Sequence, residues 1–385
     1  MKAKQIILAM VLLPFWHVSA FFPRKRNTVV FGAWFGEKYS DNAMYLFEYA
    51  CRMRELDCVW LTHKKSIVTH LRARNEKVYY IWSLKGIWYS LISGIVVISS
   101  GKGDVNQYFI NGAKIINLWH GAPMKKIGKS NNLLVSESKE NIRKYCLPNI
   151  YEYNIDFIVS TSKEFDSLLM NAFDLLPSQI IKSGYPRNDV FFKNITVQNE
   201  DLIKVAYLPT FRDKESNYNL FEPFGFQTCK FDNFLRSNNV ELHIGTHFAS
   251  DFQTMVNDCD HRIKLIPSDE FFNINEYLLN IDVLITDYSG AYFDFLLSNK
   301  PIILAPFDLD FYNRNCRELS FEYFGLECFG FAVNWGEVMM LIEKIRLVGV
   351  ASENVKKKVK LNDYHRGEST KALYDIIKKI SNKNT

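Results

Sequence analysis

The 385-residue chain has no Cys-x-x-Cys pair, and its seven cysteines are odd in number and scattered from Cys51 to Cys328. That pattern suggests neither a zinc site nor a disulfide framework; reduced thiols in a cytosolic protein are expected. Neither sign of charge is in more than small excess: 47 Lys+Arg stand against 42 Asp+Glu, or +5. Without a clustered basic stripe this bias is too weak to argue for nucleic acid, but it fits an anionic substrate or an anionic lipid surface. There is no internal repeat and no low-complexity segment. A long hydrophobic run is also lacking. The best candidate, IILAMVLLPFWHVSAFF behind Lys2 and Lys4, is short for a spanning helix and holds Pro14 and His17.

Aromatics, by contrast, are plentiful at 15% of residues, and such side chains sit well at boundaries between water and an apolar phase. The N-terminal segment therefore has several readings: a signal peptide ending in Val18-Ser19-Ala20, a membrane span, a buried first helix or an interfacial anchor. In the anchor, Phe15, Trp16, Phe21 and Phe22 lie at the headgroup level and Arg24–Arg26 on anionic lipid. Residues 1–26 are taken as a membrane-associating segment.

From Asn27 onward apolar runs alternate with helical periodicity. NTVVFG, CVWLTH, KVYYIW, GIVVISS, AKIINLWH and FIVST read as strands. Asp41 is placed to cap a helix beginning NAMYLFEYA, and Lys163 to Phe173 reads as another helix. After a polar stretch the pattern restarts with KVAYLPTF, VELHIGTH, HRIKLIP, DVLITDYSG and PIILAPF as strands. Helical segments run over 273–280, 291–298, 335–346 and 371–380. This is an α/β chain with two Rossmann-like units, 27–195 and 196–385, whose last helix has the option of crossing back. Two such units leave a cleft between their strand C-termini.

The chemically informative residues fall at that cleft. His120 follows the strand AKII in NLWHGAPMKKIG, where a catalyst and a hydrogen-bonded turn residue are equally at home. His247 follows VELHIGT; His243, inside that strand, is expected to be structural. In TDYSG a strand ends and Ser289-Gly290 opens a helix, so backbone N–H groups and a hydroxyl offer a phosphate cradle, or simply an N-cap. Arg187, Arg212 and Arg317 each suit a diphosphate, or a surface ion pair.

Together these segments resemble the CDP-glycerol glycerophosphotransferases of teichoic-acid and capsule synthesis. The pieces that carry the likeness are FGAWFGEKYSDNAMYLFEY, NLWHGAPMKKIG, GYPRNDVF, YLPTFRD, ITDYSGAYFDF, KPIILAPFDLDFY and NDYHRGESTKALYDII. The resemblance implies a GT-B fold and peripheral attachment to the cytoplasmic membrane face. It implies transfer of glycerol phosphate from CDP-glycerol to a hydroxyl of a membrane-linked glycan or polyol-phosphate, releasing CMP. It puts the proposed general base on His120 and a second important histidine on His247, although GTHF replaces the family's Arg-x-His-Pro there. Thr286, Asp287 and Ser289 fall on its Thr-Asp-Tyr-Ser. Gly290 stands where a second Ser is common, and Arg317-Glu318 where an Arg-Gly pair is common.

On that footing His120 takes the acceptor proton. His247, Ser289 and Arg317, with Thr210 and Arg212 as weaker candidates, neutralise the transferring phosphoryl group and CMP. Lys125 and Lys126 either meet an anionic acceptor, with Arg187, or form a solvated face. No Asp-x-Asp at a strand end suggests a metal-held diphosphate, so metal is expected to be dispensable and no cofactor is expected. Transfer from a CDP-ribitol or nucleotide-sugar donor, and an inactive membrane scaffold, are the rival readings.

Overall fold

A computed structural model describes residues 3–130, 154–193, 201–210, 212, 218–245, 262–349 and 361–382. In the first lobe β1 (Lys25–Phe31), β2 (Asp57–Thr62), β3 (Val78–Tyr80), β4 (Ser93–Ile98), β5 (Lys114–Asn117), β6 (Phe157–Ser160) and β7 (Ile180–Lys182) form one parallel sheet in the order β3-β2-β1-β4-β5-β6-β7. In the second, β8 (Ile203–Leu208), β9 (Val240–Gly245), β10 (Ile263–Ile266), β11 (Val283–Thr286), β12 (Ile302–Leu304) and β13 (Gly330–Phe331) pair in the order β10-β9-β8-β11-β12-β13, also parallel. Both sheets are covered on two faces, which is why strands such as VLIT are apolar and buried throughout rather than alternating.

Strand order reverses between β1 and β4 in one lobe and between β8 and β11 in the other. Ligands of such sheets bind outside the carboxyl ends at that reversal. The two reversal points face each other, which makes this the two-lobed GT-B architecture expected from the sequence.

Each lobe has an aromatic-rich core. In the first, Phe31, Phe47 and Trp60 meet edge to face at 5.3 and 5.4 Å. In the second, Trp335 packs against Tyr207, Phe226 and Phe231 at 5.0–5.2 Å, and its indole N–H donates to the Leu220 carbonyl at 2.9 Å. The last helix, Ser369–Asn382, lies on the first-lobe helix Asp41–Met53, with Tyr49 and Tyr374 rings 5.3 Å apart. Asp189 anchors its start by accepting from Ser369 N and Thr370 N at 2.9 and 2.8 Å.

The N-terminal helix, Ala3–Ser19, differs from a simple interfacial anchor. Trp16 is buried against Tyr108 and Phe109, not available to lipid. Arg24 is likewise turned inward. Its guanidinium donates to the carbonyls of Ser90 at 2.7 Å and Ser19 at 2.8 Å, and to that of Asn111. Phe15, Val18 and Phe21 are exposed. Among the described residues, no helix is long and apolar enough to cross a membrane.

The returning segment 361–369 buries His365, which sequence reading passed over. Tyr185 N and Asn188 Nδ2 donate to its Nε2 at 3.5 and 3.3 Å, and Ser369 Oγ lies 3.4 Å from Nδ1. Burial, with Arg187 nearby, pushes the imidazole down from 6.5 to about 3. The unfolded chain therefore binds a proton that the folded chain refuses, and stability falls as pH drops below about 6.5 towards 3. Urea titrations should show this loss at roughly 1.4 kcal/mol per pH unit at most from this residue, and His365→Asn should flatten the slope between pH 6 and 4.

Candidate active site

The turn after β5 is built to present His120. Asn117 Oδ1 accepts from Trp119 N at 2.8 Å, and Asn42 Nδ2 donates to the Trp119 carbonyl at 2.8 Å. Between these clamps Trp119 adopts φ +56°, a conformation costly for a bulky residue and held only by its surroundings. His120 Nδ1 lies 3.2 Å from the Ser99 carbonyl. A carbonyl only accepts, so Nδ1 carries the hydrogen and Nε2 keeps the lone pair. The ring packs 4.4 Å from Trp119 and 5.6 Å from Trp34. Burial lowers its pKa below 6.5, opposed by Asp41 and assisted by Arg187 and Arg317. At neutral pH it is an uncharged base.

His120 lines a cleft of about 410 Å³ shared by both lobes. The first lobe contributes Trp34, Lys38, Asp41 and residues 119–125; the second contributes Pro209, Gly245, Ser268, Asn273, Ser289, Gly290 and Arg317. The lobes touch beside the His120 turn. A Cβ on Gly290 would come within 2.9 Å of the Ala122 carbonyl oxygen, so glycine permits the approach of the TDYSG loop to the His120 turn. Next to it, Lys126 N donates to the Glu318 carbonyl at 2.8 Å and Ser320 N to the Met124 carbonyl at 2.9 Å, an antiparallel bridge across the seam.

Beneath the turn lies Arg187. It donates to Asp41 Oδ1 at 2.9 Å, the His120 carbonyl at 2.9 Å and Asp294 Oδ2 at 2.5 Å. Asp41 begins a first-lobe helix with φ +66°, and its carboxylate also accepts from Asn42 N at 2.7 Å and Trp34 Nε1 at 3.2 Å. It is a junction of the site more than a cap. Asp294 belongs to the second lobe and accepts from Asn188 Nδ2 at 2.8 Å.

The sequence profile of CDP-Glycerol:Poly(glycerophosphate) glycerophosphotransferases matches residues 15–379. The chain belongs to that family. It is 24% identical to a teichoic acid poly(glycerol phosphate) polymerase of Bacillus spizizenii over 84% of each chain. It is 26% identical to a teichoic acid glycerol-phosphate transferase of Staphylococcus aureus over 77% of this chain and 78% of that one. The solved structure of the wall teichoic acid polymerase TagF shares the fold, with a TM-score of 0.73 over 99% of this chain and 97% of that one at 17% identity. The protein is thus an enzyme that transfers glycerol phosphate from CDP-glycerol, with a glycerol-phosphate polymer as the acceptor its family implies.

Seen in this glycerophosphotransferase, the expected donor residues divide in two. Ser289 and Arg317 line the cleft. Ser289 Oγ also accepts from Ala291 N at 3.3 Å, a turn contact one residue ahead of the helix cap Gly290, which leaves its O–H to donate. Arg212, by contrast, is fully buried and cannot reach a nucleotide. Its guanidinium makes two bonds to Asp308, at 2.7 and 2.6 Å, and one to Asp287, at 2.9 Å, and lies 5.2 Å from the Tyr288 and Tyr312 ring centres. Asp287 is buried too and accepts from Thr210 N at 2.8 Å, while Thr286 Oγ1 donates to the Leu208 carbonyl at 2.7 Å. Thr210, Arg212, Thr286 and Asp287 are the frame beneath the donor loop.

Of the acceptor candidates, Arg187 is committed to its carboxylates, and Lys126 pairs with Glu318 at 2.7 Å. Lys125 lines the cleft. His247 lies outside the described residues, two positions beyond Gly245 at the cleft wall. His243 is structural as expected: Nε2 bonds Glu241 at 2.6 Å and Nδ1 meets the Tyr277 hydroxyl. Sequence reading missed Trp34, Lys38 and Asp41, although FGAWFGEKYSDNAMY was among the segments that carried the family likeness. It also overlooked Asp308-Leu309-Asp310 after β12, an Asp-x-Asp whose first carboxylate is taken by Arg212. No group of three or more potential metal ligands occurs among the described residues.

Arg212→Ala would leave two buried carboxylates facing each other. It should destabilise the second lobe by about 3–5 kcal/mol in urea unfolding, with activity lost through the fold instead of through KM.

Proposed function

We propose that His120 is the general base of glycerol phosphate transfer. The observation that carries this reading is the Ser99 carbonyl 3.2 Å from Nδ1, which leaves Nε2 as proton acceptor in a cleft that also holds Ser289 and Arg317. The acceptor O–H loses its proton to Nε2 while its oxygen bonds to the phosphorus bearing glycerol. The bond from that phosphorus to the CMP oxygen breaks, and CMP leaves with the electron pair. Ser289 O–H and Arg317 stabilise the charge that builds on the phosphoryl oxygens, and His247 is assigned the same task. Lys38 and Lys125, at the first-lobe wall, receive the anionic acceptor. Charge neutralisation by these side chains makes metal dispensable.

His120→Ala should lower kcat for CMP release from CDP-glycerol with a lipid-linked acceptor by about 10²–10⁴-fold; retention of more than a tenth of the activity would remove the role. Because the base must be neutral and burial lowers its pKa, the acidic limb of kcat/KM should have its midpoint below 6.5. A limb centred above that value contradicts the assignment.

We further infer that the enzyme rests on a membrane through the N-terminal helix and its neighbour, the helix Leu84–Ile92. Phe22, in the turn after the first helix, packs edge to face with Trp88 of the second at 6.3 Å. Phe15 and Val18 are exposed on the first, Phe21 in the turn that follows it, and Leu84 and Trp88 on the second, with Lys25 and Arg26 exposed alongside. Apolar and aromatic side chains flanked by cations suit an anionic headgroup layer. The double change Phe21→Ser with Leu84→Ser should abolish flotation with anionic vesicles and leave turnover of a soluble acceptor within about twofold; unchanged flotation would overturn the surface.

A further inference from the structure

His120 owes its tautomer to one backbone carbonyl, and that carbonyl is itself held in place. Ser99 follows β4, and the turn 99–104 wraps around the carboxylate of Asp104. Oδ2 accepts from Ser99 N at 2.7 Å, Ser100 N at 2.7 Å and Gly101 N at 3.4 Å. Oδ1 reaches out of this turn and accepts from Phe35 N at 2.7 Å. Phe35 and Trp34 both have left-handed backbone, φ +56° and +49°, in the loop whose indole packs 5.6 Å from the His120 ring. One carboxylate thus ties together the segment that takes the hydrogen of His120 and the segment that flanks its ring.

Asp104 has no room to move. It is fully buried, and on its backbone side a Cβ at Gly32 would lie 2.2 Å from its carbonyl oxygen. Burial raises its pKa, and the four N–H groups oppose that shift. For a residue that serves only its own turn, the bonds within 99–101 would suffice. The bond to Phe35, 69 residues away, is what links it to the cleft.

We propose that Asp104 is the positioning residue for the base: it fixes the Ser99 carbonyl and the Trp34–Phe35 loop on two sides of the imidazole, and so holds His120 with Nδ1 protonated and Nε2 accepting. This rests on His120 being the base. An asparagine cannot replace it. With its amide oxygen towards residues 99–101, its NH2 faces the Phe35 N–H; reversed, it faces three N–H donors.

The test compares the full-length wild type with Asp104→Asn and Asp104→Glu, by steady-state CMP release and by 15N spectra of histidine-labelled protein, with His120→Ala identifying the His120 signals. In Asp104→Asn, kcat should fall at least tenfold with KM for CDP-glycerol within about threefold, and the His120 signals should lose the Nδ1-protonated pattern. Asp104→Glu keeps the charge and should fall between the two. A kcat within twofold of wild type overturns the proposal, as does a kcat loss with the His120 pattern unchanged. Should Asp104→Asn not fold, the same two readings on Asp104→Glu decide. If His120→Ala itself stays active, the base assignment fails, while the tautomer comparison still reports whether Asp104 positions the ring.

Discussion

The site depends on one buried cation between two lobes. Arg187 faces Asp41 from the first lobe and Asp294 from the second, and its third contact is the carbonyl of His120. A guanidinium out of water is tolerable only when paired and hydrogen-bonded. Here the compensation comes from both lobes at once, so separating them would strand the arginine and both carboxylates. The spare capacity of the carboxylates is also used: Trp34 and Asn42 supply Asp41, and Asn188 supplies Asp294. Contact between the lobes and placement of His120 are therefore coupled energetically. The backbone that carries the imidazole is fixed by the same arginine that needs the lobes together.

The division between frame and chemistry follows burial. In the Thr-Asp-Tyr-Ser run, the first three side chains point into the second lobe. Thr286 bonds β8, Asp287 holds Arg212 and Thr210, and Tyr288 stacks on Tyr312 at 3.8 Å. Ser289 alone of the four is at the cleft. Arg212 and Asp308 complete a closed charge network in which all partners are inside. It braces the loop 286–290 from beneath without itself lining the cleft. The polar side chains that line the cleft wall include Lys38, Lys125, Ser289 and Arg317.

Much of the fold was legible because buried parallel strands write themselves as short apolar runs. AKII, FIVS, VLIT and PIIL needed no more than that. β7 and β13 were not read, since three and two residues at a sheet edge carry no periodic signal. The helices Thr228–Ser237 and Leu309–Asn315 were also missed: one is polar overall and the other is seven residues long. At the site, sequence position located strand mouths, and so placed His120, Ser289 and Arg317 at the cleft. It could not tell which cation at a mouth lines the cleft and which is buried on a carboxylate. Arg187 and Arg212 look like Arg317 in one dimension; only in three dimensions are the first two seen to be buried on carboxylates while the third lines the cleft. Trp16 and Arg24 failed for the same reason: an aromatic and a basic residue next to an apolar run read as lipid contacts until Phe109 and the Ser90 carbonyl are seen to receive them.

Two departures from the family pattern, Gly290 for a common Ser and Glu318 for a common Gly, read in sequence as losses from a donor site. In three dimensions they lie on one seam. Gly290 lets the second-lobe loop approach the Ala122 carbonyl, and Glu318 offers its carbonyl to Lys126 N and its carboxylate to the Lys126 ammonium. Each faces the turn 120–126 that carries His120. A hydroxyl lost at 290 is thus exchanged for a closer contact, and a flexible position lost at 318 for an ion pair across the lobes. Decay of an unused site would leave cavities and unpaired charges at such positions. Instead both changes tighten the surface against which His120 is held, as expected of a cleft still shaped for catalysis.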